Sequence, residues 1–303
     1  MSPIEITAVG SGATGVVVRR DAAAELLAGA VLAAAVAVWA PLPLAVLGLV
    51  LIGPAHTVLE LRYVLGRFRS VLSGPFLATA VGLVTVVAAA RLAGAPARRV
   101  EIVAAFALLA VALMRGRGRP VLAVPLVAAF LASMHSPVWF VLVLLHLHNL
   151  VPAAFLWEWT SSPAIRAATV VALGVVPLAI LSGAFDGVVL GAQPGGGLGP
   201  GWASAAAAVA PPGSSVVGLT RFFVAFAYLQ TVHYLIWCWV MPRHAGPPVR
   251  GNRLPMLLAA GTAVVGAMFL VDYTTGRVVY SSLASYHAYL ELPVLLAFLS
   301  RRS

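Results

Sequence analysis

The chain has 303 residues, 61% of them hydrophobic and only 9% charged, with a mean hydropathy of +1.00. Soluble domains carry about 25% charged residues, so there is too little polar surface here to cover a globule in water, and a water-soluble fold is excluded. The net charge of +10 comes from arginine alone; in an apolar chain it reads as loop charge that sets membrane orientation rather than as a nucleic-acid footprint, and the absence of lysine excludes a Schiff-base retinal protein.

A spanning helix needs about 20 apolar residues. Residues 1–20 lack the layout of a signal peptide, and Arg19 and Arg20 precede the first apolar span, 22–40. The second, 42–65, contains GPAHTVLELRYVLGR and carries His56 and Glu60. Spans at 74–92, 99–115 and 120–134 come next, the last one short and closed by Pro137. The sixth, 138–158, contains LLHLHNL, with His146, His148 and Asn149. After 165–184 comes a Gly/Pro-rich stretch, 185–218, expected to be an irregular extracytoplasmic loop. The last three spans are 219–241, 254–272 and 279–299; the first of them carries Gln230, His233, Tyr234 and Cys238, and the last carries His287 and Glu291. The runs are continuous rather than alternating, which disfavours strands.

The expected fold is therefore all-α: a polytopic transmembrane helical bundle of about ten helices in a single integral membrane domain over 1–303. Ten spans with a cytoplasmic N-terminus put 14 arginines inside and 5 outside, an N-in, C-in arrangement. Arg91, Arg98 and Arg99, all in the third-to-fourth connection, are the misfit. The arginine-only, Ala- and Gly-rich composition fits a GC-rich genome, and a multi-pass protein of the bacterial cytoplasmic membrane is the expected setting. Trp157, Trp159, Trp237 and Trp239 fall where an aromatic belt is expected, and Glu101 and Glu158 near span ends read as interfacial.

Ionisable groups inside a bilayer are costly and mark function. Counting 1.5 Å per residue from the outer helix ends puts His56 and His233 about 21 Å deep and His146 and His287 about 12 Å deep, one layer within boundary error. His56 and Glu60, like His287 and Glu291, stand four residues apart and so share a helical face. A carboxylate there could ligate a metal or orient the imidazole. His146 and His148 point about 200° apart. His146 shares its face with Asn149 and Trp139, and His148 with Val141, Leu145, Pro152 and Phe155, so His146 is taken as the inward ligand. The expected metal ligands are His56, His146, His233 and His287. Glu60, Glu291 and Tyr234 are the candidate catalytic groups, with Gln230 and Asn149 as cofactor-side partners. His135 and His244 read as solvated.

Four imidazoles with one or two carboxylates suit iron, zinc or copper. Mid-membrane depth favours Fe(II) and oxygen chemistry on a lipid-soluble substrate over hydrolysis. The order of motifs, GPAHTVLE, LLHLHN, TVHY and YHAYLE, resembles the Brp/Blh family of bacterial membrane β-carotene-cleaving dioxygenases. That resemblance implies a helical membrane enzyme whose histidines hold a non-haem iron and whose substrate is a carotenoid or another long hydrocarbon. Ala55 between Pro54 and His56, glutamates in place of aspartates, and a single histidine in the third motif depart from the family pattern. HTVLELRYVLGR is also similar to a His-x-x-x-Glu-x-Arg-Tyr signature of other bacterial membrane proteins, so a separate family stays open. Two other functions remain open as well: a haem-binding electron carrier with two axial histidines, and a His/Glu proton-coupled transporter. Membrane lipids are the expected surroundings and a redox partner is left undefined.

Overall fold

The computed structural model describes residues 13–72, 74–94, 97–115, 122–191, 202–244 and 254–302. Every regular element among them is helical. The long helices are α1 (Ala13–Trp39), α2 (Pro41–Arg67), α3 (Gly74–Ala93), α4 (Arg98–Arg115), α5 (Ala123–His135), α6 (Pro137–Trp159) and α7 (Pro163–Ser182). Two short helices come next, α8 (Asp186–Gly191) and α9 (Trp202–Ala207), then α10 (Val216–His244), α11 (Leu254–Val271) and α12 (Tyr273–Arg302).

Each predicted span lies on one long helix. Among the described residues, six helices are long and apolar enough to cross a bilayer: α1 from Asp21 onward, α2, α3, α6, α7 and α10. Helix α5 and the stretch Ala260–Val271 of α11 are shorter apolar helices. Helices α4 and α12 are more polar, opened by Arg98, Arg99 and Glu101 in one case and carrying Arg277, His287 and Glu291 in the other. The apolar side chains left on the outside, such as Val31 at 70% and Leu270 at 89% exposure, are what a lipid-facing surface requires. The chain is a helical membrane protein.

Local chemistry accounts for the helix ends. Pro41, Pro137 and Pro163 open α2, α6 and α7, where their missing N–H costs nothing. Ser215 caps α10 by accepting from the Gly218 N–H at 3.2 Å. Asp272 does the same for α12, accepting from the N–H groups of Thr274 and Thr275; hydrogen bonds from Thr275 and Thr274 hold its carboxyl below the usual carboxylate range. Gly183 ends α7 at φ 91°, a left-handed conformation that glycine takes without strain.

Small residues let α1 press against α10. Ala22, Ala30, Ala33 and Ala37 are buried, and Gly29 leaves the space that Leu235 occupies. Close approach through small side chains is how membrane helices gain packing without a hydrophobic driving force. Three helices contain one wide turn each: α2 at Gly48–Ile52, α7 at Val171–Val175 and α10 at Ile236–Val240. Such π-turns shift the register of the helical turns beyond them and recur at functional sites.

The stretch 185–218 differs from the expectation of an irregular loop. Residues 192–201 lie outside the described residues, but the remainder forms α8, α9 and a turn whose Val209 packs, with Ala206 of α9, against Ala45, Phe223 and Ala227. Trp237 is not a belt residue. It is 1% exposed and stacks in the core between Tyr63 and Phe155. Glu101 is not interfacial either. It is buried, and Arg91 donates to it at 2.7 Å, so one arginine of the misfit connection is an interior structural group.

Candidate metal centre

Four helices deliver one imidazole each to a single point. His56 lies on α2 just beyond its wide turn, and His233 lies on α10 just before the wide turn there. His148 sits on α6 one turn ahead of Pro152, where the helix is interrupted at Val151. His287 is near the middle of α12. The ring centroids form a closed quadrilateral: His56 to His233 5.2 Å, His233 to His148 4.5 Å, His148 to His287 4.9 Å and His287 to His56 4.8 Å. One ring nitrogen from each lies within 4.8 Å of all the others. The Nε2 atoms of His56 and His287 are 3.1 Å apart, inside the roughly 3–4 Å expected of two nitrogens bound to one ion.

The two glutamates expected beside these histidines are present and buried, Glu60 at 0% and Glu291 at 1% exposure. Each faces a histidine of another helix rather than the one in its own i, i+4 pair. Glu291 Oε2 is 2.6 Å from His148 Nδ1. Glu60 Oε2 is 3.6 Å from His233 Nε2, beyond hydrogen-bond length. Helical spacing puts each glutamate on the face of its own histidine, but the contacts are set by helix packing.

Most of these donor atoms are unsatisfied. Both oxygens of Glu60, Oε1 of Glu291, both ring nitrogens of His233 and the Nδ1 atoms of His56 and His287 are buried with no hydrogen-bond partner. A buried polar atom without a partner costs about 1–3 kcal/mol, and more if charged. A cluster of this size is not a stabilising core network. It fits a metal, whose coordination would satisfy these atoms together.

The structure places His148, not His146, in this cluster. The ring of His146 points away, with Nε2 2.9 Å from the carbonyl oxygen of Val209 and Phe222 and Phe226 alongside. It ties α6 to the turn before α10. In the sequence the face of His148 looks merely apolar, which is why the expectation fell on His146. In a lipid-soluble bundle an apolar face is as well suited to the core as to the bilayer, and Phe155, on that face, is fully buried.

A cavity of about 200 Å³ reaches the cluster, lined by His56, His148 and His287 and also by Tyr234, Gln230 and Asn149. Tyr234 packs its ring 4.4 Å from that of His56, and its hydroxyl accepts from Gln230 Nε2 at 2.9 Å. Gln230 Nε2 also lies 3.4 Å from the Ala45 carbonyl, just ahead of the wide turn of α2. A second, apolar groove of about 750 Å³ between α4, α5, α6 and α12 shares Leu144 and Ala288 with the first cavity. No protein-family model, curated protein or solved structure matches the chain.

Proposed function

We propose that the protein is a membrane-embedded, non-haem metal oxidoreductase, with iron as the metal and a lipid-soluble substrate such as a long hydrocarbon or carotenoid. The observation that carries this reading is the convergence of His56, His148, His233 and His287 from four helices on one buried point. Neutral imidazoles with carboxylates are the donor set of iron and its neighbours, and a bound iron with open positions supplies oxygen chemistry. The residues of this chain hold the rings, exclude bulk water and leave access through the cavity. The adjoining apolar groove suits a substrate that arrives from the bilayer.

The packing weighs against a haem carrier. Two axial histidines need a flat slot for the macrocycle between them, whereas here the other two rings stand within about 5 Å. The arginine distribution further supports an N-in, C-in chain of about ten crossings in a bacterial cytoplasmic membrane.

Metal analysis of detergent-purified protein tests the reading. The expected result is iron bound to wild type and lost in His56→Ala and His287→Ala. Less than about 0.3 iron per chain after reconstitution, with no other transition metal in its place, overturns it.

A further inference from the structure

The four imidazoles do not account for the whole cluster. A second group of donors, Glu60, His233 and Glu291, has its ligand atoms within 4.8 Å of one another and shares only His233 with the first. We infer that the centre is dinuclear, with a second metal ion held on the carboxylate side by Glu60, Glu291 and His233. This inference rests on the metal reading proposed above.

The simpler alternative is that each glutamate orients a ligating histidine by accepting its second ring N–H. Glu291 has that geometry toward His148 at 2.6 Å. Glu60 does not. It stands 3.6 Å from His233, beyond hydrogen-bond length, is fully buried, and neither of its oxygens has a hydrogen-bond partner. An orienting carboxylate would not be left unsatisfied.

Charge points the same way. Two carboxyl groups buried this close in an apolar interior carry charge only beside a cation. Two arginines line the same cavity: the guanidinium of Arg91 is committed to Glu101, to the Ser281 carbonyl and to the Tyr289 hydroxyl, and Arg277 is exposed. If His233 serves the carboxylate side, His56, His148 and His287 remain for the first ion. Three protein ligands are the usual complement of a catalytic metal with an open position. The division gives each ion a complete triad without any residue beyond those named.

The test is a Co(II) titration of the metal-stripped, full-length protein in detergent. Wild type should saturate at about two equivalents per chain, and Glu60→Gln, which keeps the side-chain volume, at about one. In wild type the second equivalent should also reduce the paramagnetic resonance intensity developed by the first, because neighbouring ions couple. That measurement needs no variant to fold. Saturation of wild type at one equivalent overturns the dinuclear inference, whether or not Glu60→Gln abolishes it, and leaves the metal reading standing. Two equivalents without coupling, both retained in Glu60→Gln, place the second ion elsewhere and also overturn it. Binding of no transition metal at all removes the proposed function as well.

Discussion

Two polar clusters lie inside this bundle, and they are built on opposite principles. In one, Arg91, Glu101 and Tyr289 bring α3, α4 and α12 together. The guanidinium donates to Glu101 at 3.0 and 2.7 Å and to the Ser281 carbonyl at 3.0 Å, and the Tyr289 hydroxyl donates to the same carboxylate. Charge and hydrogen-bonding capacity are matched within the protein. In the other, four imidazoles and two carboxylates lie together with most of their buried polar atoms unpaired. Burial is common to both. Satisfaction separates them: the first cluster is hydrogen-bonded throughout, and the second leaves both oxygens of Glu60 and both ring nitrogens of His233 without a hydrogen-bond partner.

That difference makes opposite predictions for removal of a single residue. Glu101→Ala leaves a part-buried guanidinium with the Ser281 carbonyl and the Tyr289 hydroxyl as its remaining acceptors and should lower the stability of the detergent-solubilised protein by about 1–3 kcal/mol, measured by denaturant titration. Replacing Arg91 and Glu101 together with apolar residues of similar size should recover most of that loss. In the histidine cluster, His287→Ala removes a side chain whose Nδ1 has no hydrogen-bond partner and whose Nε2 meets that of His56 at 3.1 Å. It should leave the unliganded fold nearly as stable as wild type while weakening metal binding by about 100-fold or more. A large loss of apoprotein stability in His287→Ala, with metal binding kept, would put both clusters in the structural class.

The contrast can be sharpened within helix α6. His148→Ala should cost most of the metal, about 10–100-fold in affinity even if its role is shared with Glu291. His146→Ala should leave metal binding unchanged and cost about 1–2 kcal/mol through the lost bond to the Val209 carbonyl. Metal titration and thermal melting of the same two variants decide the assignment directly.

Much of this is legible in the sequence. Apolar runs and prolines at helix starts locate the long helices to within a few residues at most ends, because length and hydropathy are local properties. His56, His233, His287, Glu60 and Glu291 stand out because an ionisable residue in an apolar run is too costly to be kept for packing alone. Choosing between His146 and His148 needs the rotation of α6 within the bundle, which an apolar face cannot reveal when both surroundings are apolar. The pairing of Glu60 with His233 and of Glu291 with His148 depends on which helices are neighbours. Glu101 escapes a sequence reading for a similar reason, since its partner Arg91 lies on the preceding helix, ten residues away across a turn. An arginine and a glutamate facing each other over a helix connection are the signal that could pair them.

An ion pair at the start of α10 shows what the same chemistry is worth nearer the surface. Arg221, early in α10, donates to Asp186 at the start of α8, and their side chains are 31% and 28% exposed. Matching is as complete as in the Arg91 network, but water competes for both partners, so the contribution should be small. The hydrogen bond from Arg221 holds the Asp186 carboxyl below its ordinary value. A carboxyl depressed in the folded state stabilises above its unfolded value and loses that contribution as the pH falls through the folded one. Asp186→Asn should therefore lower the melting temperature slightly at neutral pH. The gap between variant and wild type should close on acidification below the usual carboxylate range. A gap independent of pH would mean that Asp186 acts through the shape of the α7–α8 turn at Gly183 rather than through its charge.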